Sequence, residues 1–203
     1  FKKNKIKTPK YFLLEKKNEK KIRTKMKNAN IGFPIVIKPI NEGSSLGVYI
    51  CKNMKAFNRN YSKIKKDYSE IIVEEYIPGK EIQVAVMGKR ALGAIELVPK
   101  RQFYDYKAKY SAKANTKHIM PAPLNKRKYQ EALYLAKKAH KILGCRGVTR
   151  SDFRFFKNKF YLLEINTQPG MTSLSLVPEI ASYKGINFIQ LIEKIVNDAS
   201  INK

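Results

Sequence analysis

Short apolar runs broken by small and charged residues dominate the chain, and one long stretch repeats its apolar residues at helical spacing. Residues 32 to 39 read GFPIVIKP, a β-branched run bounded by Gly and Pro that predicts a buried strand ending on Lys38. The small-residue loop from Asn41 to Gly47 follows, and then a strand through Val48, Tyr49 and Ile50. Residues 53 to 67 fit a helix, while Ile71 to Tyr76 and Glu81 to Met87 fit strands joined through Pro78 and Gly79, with a further strand from Leu92 to Val98. Lys126 to Leu143 places Tyr129, Ala132, Leu133, Ala136, Ala139 and Leu143 on one face and stops at Gly144, which predicts a packing helix without chemistry. Gly147 to Phe156 and Phe160 to Asn166 flank the polar turn at residues 157 to 159 and predict a β-hairpin, and Phe188 to Ala199 predicts a closing helix. Phe103 to Lys117 has no clean period and is rich in Tyr, Lys and Ala, the mark of a functional loop. There is no internal repeat, and the pattern changes character near residue 75, where one lobe gives way to another.

The hairpin concentrates the chemistry. Strand side chains alternate, so Glu164 and Asn166 share a face, and Asp152 on the partner strand falls nearly opposite Glu164. Three oxygen ligands of this kind suit magnesium, which takes one or two carboxylates and fills its shell with phosphate oxygens and water. Arg150, two residues before Asp152 on the same face, is placed to reach a phosphoryl group beside the metal. Lys38 ends a buried strand ahead of a Gly-Ser loop whose backbone can approach phosphates closely, although the order differs from the Walker pattern, in which Lys follows the glycines. Glu74 and Glu81 can accept hydrogen bonds from an adenine amine and ribose hydroxyls.

Composition changes this picture little. The net charge of +26, from 42 Lys and Arg against 16 Asp and Glu, would attract polyanions, which raises the competing class of a nucleic-acid-binding module. The lysines are spread among Asn and Ile without recurring aromatic residues to stack bases, so solvated lysine-rich faces are the expectation, with no nucleic-acid or membrane partner. Cys51 and Cys145 are far apart and read as ordinary small buried residues; His118 and His140 are isolated, outside any metal-ligand spacing. No apolar run is long enough for a membrane span and no leader pattern opens the sequence, so a cytoplasmic protein is expected. The first residue is Phe, which suggests a piece of something longer.

Five motifs in order carry a resemblance. Residues 36 to 39 (VIKP) with 42 to 47 (EGSSLG), then 74 to 81 (EEYIPGKE), 103 to 110 (FYDYKAKY), 150 to 152 (RSD) and 163 to 178 (LEINTQPGMTSLSLVP) resemble the D-alanine–D-alanine ligase family of the ATP-grasp superfamily, collinearly over nearly the whole chain. The resemblance implies an α+β ATP-grasp fold, with two lobes of mainly antiparallel sheet holding ATP between them: residues 1 to 73 as an incomplete central lobe and 74 to 203 as the C-terminal catalytic lobe. It implies ATP with two magnesium ions, for which manganese could substitute, held by Asp152, Glu164 and Asn166. Lys38 would contact phosphates, Glu74 the adenine amine and Glu81 the ribose, with Phe103 and Leu163 beside the adenine and Lys109 reaching the γ-phosphate on loop closure.

The implied reaction makes D-alanyl-D-alanine for peptidoglycan. One D-alanine carboxylate attacks the γ-phosphate, and the second D-alanine's amine displaces phosphate from the acyl phosphate. Arg150 with the Gly170 N–H would form the oxyanion site, Ser175 and Leu176 would bind the second substrate's carboxylate, and Ser44 with Tyr110 would order the loop. Tyr110 favours the dipeptide product over D-alanyl-D-lactate, because ester-forming relatives tend to differ in that loop. The family's N-terminal substrate domain, and a further ATP-contacting lysine, have no counterpart in these residues, so the expectation is weak ATP binding and little ligation by the chain alone. A homodimer is an expectation for the longer enzyme only.

Overall fold

Ile35–Pro39 (β2) lies inside a sheet, with strands on both sides, which is why its run is apolar on both faces. The computed structural model describes residues 1–16, 21–43, 45–99 and 116–200, and divides them into two units. The smaller unit takes in Pro9–Ile77 and, among the described residues, Pro99. Its antiparallel sheet runs β1 (Tyr11–Glu15), β4 (Glu70–Glu75), β2, β3 (Tyr49–Cys51), with α1 (Ile22–Ala29) and α2 (Met54–Ile64) packed on it. Asn53 caps α2 by accepting from Ala56 N at 2.9 Å, and Phe57, Tyr61 and Ile64 bury at helical spacing against Leu14, Ile35, Ile37 and Val73. β1 is the edge strand of the described sheet; Tyr11 and Leu13 are exposed on it, and the Lys25 Nζ donates to the Leu13 carbonyl at 2.7 Å.

The larger unit takes in Phe1–Thr8, Pro78–Val98 and the chain from Thr116 onward. Its antiparallel sheet runs β7 (Lys117–Ile119), β6 (Arg90–Val98), β5 (Lys80–Met87), β8 (Val148–Phe156), β9 (Lys159–Asn166). Positive φ at Lys157 and Asn158, 46° and 58°, makes the tight turn that joins β8 to β9. α3 (Lys126–Ile142) lays Ala132, Ala136 and Ala139 against Ile82, Val84, Phe153, Phe160 and Leu162, small residues on the helix allowing close approach to large ones on the sheet. α4 (Leu176–Tyr183) packs against β5 and β6, and α5 (Phe188–Asp198) against α4. Ile6 enters the same core as Phe153, and the Lys7 carbonyl accepts from Leu162 N at 2.8 Å.

One irregularity sets the geometry of β9. Asp152 pairs with Glu164 and Phe153 with Leu162, so Leu163 is an extra residue, a bulge. Leu162 therefore joins the core under α3 while Glu164 and Asn166 turn to the other face.

The predicted strands and helices appear within a few residues of their expected ends, and five elements among the described residues go beyond them: a 3-10 turn at Lys2–Asn4, β1, α1, β7 and α4. Lys117, expected in the long loop, opens β7 and half-buried Thr116 precedes it, while residues 103–115 of that loop, as well as Ser44, lie outside the described residues. Leu143 is exposed because it follows the last turn of α3 and points past the core, and Cys145 is half-buried in the loop after it.

Gly79 has φ of +98°, and a Cβ there would lie 2.3 Å from the Phe155 carbonyl oxygen on β8. Backbone strain and this contact together predict that Gly79→Ala destabilises the chain by about 3 kcal/mol. Urea unfolding followed by circular dichroism measures it.

Candidate active site

In the larger unit, cross-strand register lines polar residues up on the sheet face opposite α3. Gln83, Asp152 and Glu164 form one row, Ala85, Arg150 and Asn166 the next, and Glu81 stands opposite Arg154 in the row before. Asp152 is buried at 6% exposure and Glu164 is exposed, so the row grades from sheet interior to solvent. Arg150 Nε donates to Asp152 Oδ1 at 2.7 Å and its Nη2 to Oδ2 at 2.9 Å, a two-pronged pair along one strand face. The guanidinium expected to wait for a phosphoryl group is thus engaged on a carboxylate, because residues two apart on a strand face are within reach of such a chelate. Asn166 Oδ1 accepts from Gln168 N at 3.0 Å. Glu81 Oε2 lies 3.8 Å from Arg154 Nη1, and half-buried Leu163 occupies the bulge.

The donor set fits a hard cation. Two carboxylates and an amide oxygen come from adjacent rows of one sheet face, leaving the remaining positions to phosphate oxygens and water. Among the described residues no group of three or more His, Cys, Asp or Glu gathers, so any cation held here would rest on two carboxylates and an amide. The histidines have partners: His118 Nδ1 is 2.7 Å from Glu179 Oε2, and His140 Nδ1 is 2.8 Å from Thr149 Oγ1, with burial holding the His140 pKa down.

Beyond β9 the chain turns through Gly170 into α4. Ser175 Oγ accepts from Thr172 N at 2.9 Å, and a Cβ on Gly170 would lie 2.9 Å from that hydroxyl, so a side chain there would crowd the turn. Ser175 and buried Leu176 stand at the N-terminus of α4, where unpaired N–H groups and the helix dipole favour an anion.

The smaller unit holds Lys38 and Glu74 together. Their strands pair with Val36 opposite Glu74 and Lys38 opposite Ile72, and Lys38 Nζ reaches Glu74 Oε1 at 3.0 Å. Burial raises the Glu74 pKa above the ordinary carboxylate value, the Lys38 charge and hydrogen bond pull it part of the way back, and Glu75 pushes it up. Tyr68 donates to Glu42 Oε1 at 2.8 Å, tying the start of the Gly-Ser loop to the entry of β4. Sequence reasoning missed this tie and also missed Gln83, whose signal was an amide inside the apolar run from Ile82 to Val86. Phe103, Lys109, Tyr110 and Ser44 lie outside the described residues.

A model of the D-ala D-ala ligase C-terminus family matches residues 1–197. The chain is 58% identical over 203 residues to the D-alanine–D-alanine ligase of Pelagibacter ubique, covering all of this chain and 66% of that protein. Against the D-alanine–D-alanine ligase of Wolbachia pipientis it is 45% identical over 205 residues, covering 98% of this chain and 62% of that one. The chain therefore spans less than two thirds of the length of these relatives. Among solved structures it is similar to the D-alanine–D-alanine ligase from Bacillus anthracis, with a TM-score of 0.84 and 29% identity over 97% of this chain and 63% of that one. The VanG D-Ala:D-Ser ligase from Enterococcus faecalis also gives 0.84, at 28% identity, covering 97% and 58%.

A pKa raised in the folded state contributes stability that is complete below the unfolded pKa and lost as pH rises through the folded one. Lys38→Met removes the charge that restrains Glu74, so the folded pKa climbs further and the loss at neutral pH grows. The variant is expected to be about 3 kcal/mol less stable than the unaltered chain at pH 7, with the gap narrowing toward pH 4. Urea unfolding at both pH values measures it; an equal loss at both would mean that Lys38 acts through packing alone.

Proposed function

The chain belongs to the D-alanine–D-alanine ligase family, matching its C-terminal region over residues 1–197, and from that premise we propose that it carries the ATP- and metal-handling part of a ligase. The reaction proposed joins two D-alanines through an acyl phosphate, at the expense of ATP, to give D-alanyl-D-alanine for peptidoglycan in the cytoplasm. The observation that carries this reading is the in-register pairing of Asp152 with Glu164 and Arg150 with Asn166 on one sheet face. A phosphoryl-transfer enzyme does its work by positioning and charge stabilisation, and this face offers oxygen ligands and a guanidinium together.

In this proposal Asp152, Glu164 and Asn166 hold magnesium, which would neutralise phosphate charge when bound. Arg150 balances charge on the transferred phosphoryl group and, with the Gly170 N–H, on the tetrahedral intermediate. Lys38 holds phosphate oxygens, Glu74 accepts from the adenine amine and Glu81 from the ribose, while Leu163 and Phe103 border the base. Lys109, Tyr110 and Ser44 keep the loop roles that the resemblance implies. The N-terminus of α4 at Ser175 and Leu176 receives the carboxylate of the second amino acid. Division of the chain near residue 75 into central and C-terminal lobes belongs to the same proposal.

The D-Ala:D-Ser ligase matches this fold as well as the D-alanine–D-alanine ligase does, with the same TM-score of 0.84, so backbone likeness favours neither second substrate. Incubation of the complete enzyme with D-alanine, D-serine, D-lactate and Mg·ATP, followed by mass analysis of the products, is expected to give the D-alanine dipeptide as the main product.

For the chain itself, Mg·ATP is expected to raise the melting temperature, and Asp152→Ala to remove that rise. Saturation to 100 times the dissociation constant would add about 2.7 kcal/mol to the unaltered chain. A polyanion-binding module would respond instead to RNA, with a steep salt dependence and no need for magnesium.

A further inference from the structure

Two buried side-chain polar atoms among the described residues lack a hydrogen-bond partner: Ser151 Oγ and Gln83 Oε1. Ser151 lies on the α3 face, opposite Val84, where a hydroxyl can rotate. Gln83 is different. It is 1% exposed, its strand neighbours Ile82, Val84, Ala85 and Val86 are all buried and apolar, and its side chain lies on the face that carries the acids. Its Nε2 is 3.4 Å from Glu81 Oε1, which fixes the amide orientation, since a flip would set carbonyl oxygen against carboxylate. The free Oε1 thus belongs to a residue directly opposite Asp152 in the sheet, whose own carboxylate is chelated by Arg150.

An apolar side chain of equal length would fill this position without leaving a carbonyl unpaired, so packing does not account for an amide here. Unsatisfied buried polar groups are what functional sites retain at a cost in stability. A cation on Asp152 would compete with Arg150 for the carboxylate's lone pairs, weakening the chelate and turning guanidinium N–H groups toward further acceptors. Asn166 Oδ1 already accepts from Gln168 N, and Glu164 is committed to the same cation in the proposed reading. Gln83 Oε1 is the buried acceptor in the same row as Asp152.

We propose that Gln83 is a positioning residue for the metal-binding row. Its Oε1 accepts an N–H of the Arg150 guanidinium when Asp152 exchanges that guanidinium for a divalent cation, and its Nε2 keeps Glu81 in register beside it. This rests on the reading of Asp152, Glu164 and Asn166 as cation ligands.

The test compares the complete enzyme with its Gln83→Met variant, of similar volume and without the amide. Melting temperature without ligand is expected to stay equal or rise, since the unpaired carbonyl is gone. Affinity for Mg·ATP, measured by titration calorimetry, is expected to fall about tenfold. If the complete enzyme binds Mg·ATP and its Gln83→Met variant binds it equally well, Gln83 has no such role and the cation-ligand reading stands. If the complete enzyme does not bind Mg·ATP, both are overturned. Should Gln83→Met fold poorly, Gln83→Asn gives the same comparison, because it keeps the amide but withdraws it by one methylene; retained affinity in that variant would also overturn the proposal.

Discussion

The extra residue at Leu163 lets one strand serve a core and a polar face that simple alternation would forbid. On a regular strand Leu162 and Glu164 would point the same way, either exposing the leucine or burying the acid among apolar groups. The bulge reverses the parity between them, so Leu162 packs with Phe153 and Phe160 while Glu164 comes level with Asp152. The place of Asn166 beside Arg150 follows from that register, while the regular β5–β8 pairing sets Gln83 behind Asp152.

Each unit carries its buried charge in the same form, a cation neutralising a carboxylate. Lys38 restrains Glu74 in the smaller unit, and Arg150 chelates Asp152 in the larger one. Such pairs offset the desolvation of groups that would otherwise be costly to hold inside a sheet. Both cations and both acids are thus engaged with one another inside their own sheets, and in the proposed reading a ligand would reach them by exchange of partners.

Much of this was legible in the chain. The hairpin with its polar turn and the shared face of Glu164 and Asn166 follow from strand period alone, and the near opposition of Asp152 and Glu164 was legible to within one residue. The bulge did not, because nothing in the run FYLLEIN says where one residue will be left unpaired; that is decided by the core's demand for Leu162. The run YFLLE of β1 lacks clean alternation, β7 is three residues long, and α4 begins two residues before Pro178, so none of these announced itself. Proline is tolerated in a helix's first turn, where its missing N–H costs nothing, yet in the chain it reads as a breaker. The ion pairs were implicit in the spacing of Arg150 and Asp152 and invisible for Lys38 and Glu74, whose approach depends on strand order across a gap of 36 residues.

The lysine-rich surface, discounted as a sign of nucleic-acid binding, takes on another meaning at β1. An edge strand with exposed Tyr11 and Leu13 is a template on which a neighbouring molecule could add its own strand and start a fibril. The Lys25 ammonium sits on the Leu13 carbonyl, so an incoming N–H would have to displace a charge-assisted bond and bring a second strongly cationic molecule close to it. At +26, molecules of this chain repel one another before such an encounter matures. The surplus charge thereby protects colloidal stability at one of the two edges of the described sheet.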